Sequence, residues 1–130
     1  MFWMDAYLTA EARRALAAFG ALSPKPDLSG FLLGHKRGHR FIVENIFPLP
    51  KGFRPTLEHY YSLDRLLDGK IIGFFAFPPT AVPKSDLLQP FACGKLLLGV
   101  RVDKKRNLHY ESFVIDYDGR FKAKPVGLRT

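Results

Sequence analysis

The segment Ile71-Ile-Gly-Phe-Phe-Ala-Phe77 carries no polar side chain and is stopped by Pro78 and Pro79. A half-buried strand alternates apolar and polar residues, because successive side chains point to opposite faces. A short run without that alternation, closed by proline, reads as a central strand buried on both faces. We assign it to Lys70–Phe77. Such a strand needs neighbours on either side and packed elements above and below. It therefore calls for a layered α/β architecture rather than a sheet with one wet face.

The flanking sequence supplies those elements. Leu8, Ala12, Ala15, Leu16 and Phe19 fall on one stripe at helical spacing, so Thr9–Phe19 reads as a helix, with Thr9 or Asp5 as its cap and Gly20 as its stop. Leu28–Leu33 and His39–Phe47 read as a hairpin around the turn Gly34-His-Lys-Arg-Gly38. Leu57–Tyr61 fits either strand or loop, and Ser62–Gly69 reads as a short helix. Pro78–Pro83 is a loop, after which Ser85 caps a short helix reaching Phe91. Leu96–Val102, Leu108–Asp116 and Arg120–Val126 form a meander, with Asp118-Gly119 as a hairpin turn.

The expected fold is one α/β (α+β) domain over residues 1–130. It comprises a helical segment at 1–22 and a sheet core at 26–126, with a mixed sheet of about six strands flanked by the N-terminal helix and short helices. The length of 130 residues is enough for such a core. With a single cysteine, Cys93, no intramolecular disulfide can form, which fits a reducing, cytoplasmic setting. No secretory signal is visible, and no apolar run approaches the roughly 20 residues of a membrane span.

The net charge is +8. Lys36, Arg37, Lys104, Lys105 and Arg106 form two basic clusters that could meet an anionic partner. The remaining basic residues are dispersed, which reads as an ordinary basic surface. Exposed aromatics beside such cations could stack nucleic-acid bases, but Phe74, Phe75 and Phe77 stand in the most apolar segment of the chain. The four histidines, His35, His39, His59 and His109, show no metal-ligand spacing.

Three local patterns resemble one known family. Pro26-Asp-Leu-Ser-Gly-Phe-Leu-Leu-Gly34 is similar to the opening strand of JAMM/MPN metalloproteases, and Val43–Pro50 to their second strand and its exit. Ile71–Ser85 resembles their metal-site strand, which reads Gly-x-His-x-His-Pro. In that family seven residues separate the second His from a Ser, and two more separate the Ser from an Asp. Here Phe75 and Phe77 stand at the His positions, Leu88 stands at the Asp position, and Ser85 keeps its place. Asp27 lies where the family has its general-base Glu, and reads otherwise as a turn or capping residue.

The resemblance implies an MPN/cytidine-deaminase-like fold whose zinc ligands have been replaced. A zinc hydrolase uses three protein ligands and one open position for water. Neither phenyl rings nor a leucine offers a lone pair. The implied protein is thus a catalytically inactive domain with no cofactor and no zinc-dependent peptidase or isopeptidase activity. It would act through protein–protein contact, as a homodimer or with another MPN-type protein, and the apolar start Met1-Phe-Trp-Met4 offers a contact segment. A small basic nucleic-acid-binding domain is the alternative. If the alignment holds, Phe75→His, Phe77→His and Leu88→Asp together would create zinc affinity.

Overall fold

The computed structural model describes residues 4–22, 27–49, 57–67, 69–82 and 84–130. The elements run β1 (Asp5–Leu8), α1 (Ala10–Leu22), β2 (Leu28–Arg37), β3 (Arg40–Pro48), α2 (Leu57–Leu66) and β4 (Ile71–Phe77). They continue with α3 (Lys84–Leu87), β5 (Leu96–Val102), β6 (Leu108–Tyr117), β7 (Phe121–Pro125) and β8 (Gly127–Arg129). Single 3-10 turns at Pro79–Ala81 and Pro90–Ala92 flank α3, and the Phe77–Pro78 peptide is cis.

The six-strand α/β expectation is overturned, and with it the MPN/cytidine-deaminase-like fold. The protein is mostly strand, at 50% of its residues, in one nearly closed, barrel-like sheet of eight strands with only two substantial helices. The sheet order is β7-β6-β5-β4-β2-β3-β1-β8. The two strands absent from the sequence reading are β1 and β8, of four and three residues. Neither is long enough for period two to register. Both depend on parallel pairing with distant chain, Asp5 with Arg40 and with Gly127. The expected division at residue 22 therefore fails, because β1 belongs to the sheet, which runs on past Val126 to Arg129.

Closure comes from one extended segment. Val126 alone separates β7 from β8. The first half of this segment pairs with β6 at one end of the sheet, and the second half pairs with β1 at the other. Val126 is anchored where the two halves meet: its N–H donates to the Ser112 carbonyl at 3.1 Å, and the Ser112 hydroxyl donates to its carbonyl at 2.8 Å.

Two apolar cores result. The first receives side chains from α1 and from every strand except β7, and fills the inside of the curl. The second lies on the outer face of β2, β4, β5 and β6, beneath α2 and the segment between β4 and β5. β4 serves both cores and is buried at all seven positions, as its unbroken apolar run requires. It is not a uniform ladder. Gly73 faces Leu32 and Ile71 faces Leu33, so Ile72 is an extra residue, a β-bulge. The bulge moves Ile71 to the outer core while Phe75 and Phe77 stay inside. Gly73 permits it, since a Cβ there would lie 2.1 Å from the Leu96 carbonyl oxygen.

Several boundaries differ from expectation for identifiable reasons. α1 runs through Gly20 to Leu22, because Gly20 is packed rather than terminal: its Cα approaches Phe77, and an added Cβ would stand 3.2 Å from Cζ of that ring. Thr9 caps α1 through the Ala12 N–H at 3.3 Å. The β2–β3 turn is Gly38-His39 alone, with Gly34 inside the strand. Leu57–Tyr61 and the following residues form one helix, α2, held by Tyr60 and Leu63 against the outer core. The helix expected from Ser85 to Phe91 breaks after Leu87 and resumes as a 3-10 turn at Pro90. The expected connector 23–26 and the first three residues of the proposed contact segment lie outside the described residues.

Candidate functional site

Phe75 and Phe77 point the same way, as period two demands, and both are core side chains, 0% and 1% exposed. The Phe75 ring lies on the backbone of Gly30, where a Cβ would stand 2.9 Å from Cε1. Phe74 faces the outer core and is equally buried, in contact with Phe31 and Phe91. No base could stack on these rings.

Leu88 is half-buried against the outer core, whereas Phe75 and Phe77 belong to the inner one. Asp27 is exposed just before β2. Ser85 lies inside α3, and its side chain is outside the described residues. The structure thus brings Phe75 and Phe77 together, and places Leu88 and Asp27 apart from the cluster they share. The sequence could not reveal this, because the chain leaves the sheet at Pro78 and β-strand periodicity ends there. Among the described residues, no three or more His, Cys, Asp or Glu side chains are grouped to hold a metal ion.

The basic residues divide in a similar way. β2 is antiparallel to β4, and β4 is parallel to β5. The Lys36–Arg37 end of β2 and the Lys104–Lys105–Arg106 turn after β5 therefore occupy opposite ends of the sheet. The expected anion-binding surface is two separate patches. Lys36 lies over the Phe41 ring, 5.1 Å from its centroid. Arg106 adopts φ +68 and donates to the Gly20 carbonyl at 2.6 Å, satisfying a C-terminal carbonyl of α1.

The polar convergence that sequence reading missed lies on β5 and β6. Antiparallel pairing sets Arg101 opposite His109 and Gly99 opposite Glu111. With Pro79 and Tyr110 these residues line a partly open cavity of about 190 Å³. Asp103, at the start of the adjoining turn, holds His109 Nε2 at 2.7 Å and accepts the Lys105 and Asn107 N–H groups through its other oxygen. The bond to His109, followed by these N–H groups, holds the Asp103 carboxyl below its ordinary value. A signal existed in the sequence: the predicted hairpin Leu96–Asp116 already aligns Arg101 with His109 once the turn is set at 103–107.

A second polar cluster ties the sheet closure. Asp5 is 5% exposed and accepts a bidentate pair from Arg40, at 2.9 and 2.8 Å, and a third bond from Arg129 at 3.0 Å. These residues come from β1, β3 and β8, three adjacent strands. The Arg40 bonds chiefly, with Arg129 behind them, outweigh burial and hold the carboxyl below its usual value.

The geometry defines a class by fold: a nearly closed mixed β-sheet with one helix closing its interior and a second on its outer face. Two solution structures are among the solved structures that share it. The chain is similar to the solution structure of protein DSY2949 from Desulfitobacterium hafniense, with TM-score 0.64 and 18% identity over 95% of this chain and 92% of that one. It is also similar to the solution structure of a protein from Salinibacter ruber, with TM-score 0.57 and 13% identity over 95% of this chain and 91% of that one. At these identities the likeness is one of fold. No protein-family model and no curated protein matches the chain.

Proposed function

We propose that this chain is a zinc-independent binding module that works by contact with a protein partner and carries no zinc-dependent peptidase or isopeptidase activity. The observation behind the reading is the burial of Phe75 and Phe77. Where the JAMM/MPN-like motif would require two imidazoles around a metal, two phenyl rings serve as core. Each contributes about 1.5–3 kcal/mol of apolar burial, which ties this segment to stability.

Surface composition supports a protein partner. Tyr61 and Leu66 of α2 are 60% and 77% exposed, and we assign the partner contact to this helix. A second copy of the chain is the simplest partner. The separation of the basic clusters favours this reading over a continuous nucleic-acid groove. The proposed setting is the cytoplasm, where an exposed free Cys93 stays reduced. No helix among the described residues is long and apolar enough to cross a membrane.

Purified protein should contain no stoichiometric zinc, should leave isopeptide-linked substrates intact, and should sediment with a concentration-dependent increase in mass that Leu66→Glu or Tyr61→Ser reduces. One tightly held zinc per chain with substrate cleavage would overturn the reading. A salt-sensitive complex with single-stranded RNA, with no protein self-association, would replace it with the nucleic-acid alternative.

A further inference from the structure

The cavity on β5 and β6 has one positive and one negative end with no internal use. Arg101 and Glu111 lie on the same face, two pairing steps apart: Arg101 is opposite His109, and Glu111 is opposite Gly99. Neither has a hydrogen-bonding or ion-pair partner among the described residues. His109 and Asp103, by contrast, are committed to each other. Both side chains line the same partly open cavity. A Cβ on Gly99 would lie 2.9 Å from both Cγ and Oε1 of Glu111 and 3.1 Å from Cγ of Pro79. The Glu111 side chain therefore lies across Gly99 and beside Pro79.

We propose that this cavity binds a small zwitterion of the α-amino-acid class, its carboxylate on Arg101 and its ammonium on Glu111. The guanidinium offers a planar fork that matches a carboxylate, and charge-assisted bonds of this kind are the stronger sort. An anion alone would meet the Glu111 carboxylate, and a cation alone would meet Arg101. Only a ligand carrying both charges satisfies both ends. The volume of about 190 Å³ suits a ligand of about that size class, a single amino acid. The proposal concerns a different face from the Phe75–Phe77 segment and does not depend on the zinc-independent reading.

The test is an amide-resonance titration of the isotope-labelled protein with alanine, N-acetylalanine and alaninamide. Alanine should shift the Gly99, Arg101, His109 and Glu111 signals saturably, with a Kd on the order of 1 mM. Acetylating the amine, or converting the carboxylate to an amide, should abolish saturation. Arg101→Gln and Glu111→Gln, both at exposed positions, should each weaken alanine binding about tenfold or more with an unchanged circular-dichroism spectrum. Equal shifts from the capped compounds, or none from alanine at a concentration well above that Kd, would overturn the proposal. The capped compounds decide the matter on the wild-type protein should either variant fold poorly.

Discussion

Asp5 shows how one residue can serve three strands. Its two oxygens take three bonds from Arg40 and Arg129, so β1, β3 and β8 meet at a single carboxylate. Asp5→Asn removes the charge and the bidentate match, and should lower unfolding free energy by about 2 kcal/mol in chemical denaturation. The pH dependence follows from the depressed carboxyl. A carboxyl whose folded pKa lies below its unfolded one contributes stability above the unfolded value, near 4 for Asp. That contribution disappears as pH falls through the lower, folded value. Wild type and Asp5→Asn should therefore differ most at neutral pH and converge in acid. A stability gap that stays constant down to the acid limit would contradict this role. Nothing local in the chain signals this cluster, since Asp5 has the character of a helix cap and its partners lie 35 and 124 residues away.

At the scale of elements, legibility tracked how local each determinant was. β4 was readable because its two-faced burial is written in seven consecutive residues, and the β5–β6–β7 meander because its turns carry Asp, Asn and Gly. The sequence of α2 is ambiguous over Leu57–Tyr61, since Tyr60 and Tyr61 have strand propensity. Packing of Tyr60 on Phe31 and Phe91 overrides it. The bulge at Ile72 was invisible, because a bulge is a relation between two strands. It makes Gly73 irreplaceable. Gly73→Ala would drive a methyl into the Leu96 carbonyl and should destabilise by about 3 kcal/mol or more. An alanine variant as stable as wild type would show that β4 pairs without the bulge.

The whole molecule is held closed by a short strand. Removing Gly127–Arg129 deletes one of the two parallel partners of β1, the Leu128 contact with the inner core and one ligand of Asp5. We expect a loss of about 3 kcal/mol, with β1 amides exchanging much faster while β4 amides keep most of their protection. Uniform loss of protection would mean that closure is required for the entire sheet. This scale was the least legible, because β1 and β8 have no pattern of their own and gain strand character only from each other and from β3.

Phe75 and Phe77 are structural core, and the proposed function holds that the zinc-site-like pattern around them has no metal role. The decisive experiment is the triple variant Phe75→His, Phe77→His, Leu88→Asp, followed by elemental analysis and by thermal unfolding with and without added zinc. Two imidazoles in the inner core and a carboxylate against the outer one leave polar groups buried and apart, at a combined cost of about 5 kcal/mol or more. The packing account predicts a strongly destabilised or unfolded chain with no stoichiometric zinc and no stabilisation by the metal. A folded variant that holds one zinc per chain, and melts higher with zinc than after chelation, would contradict it.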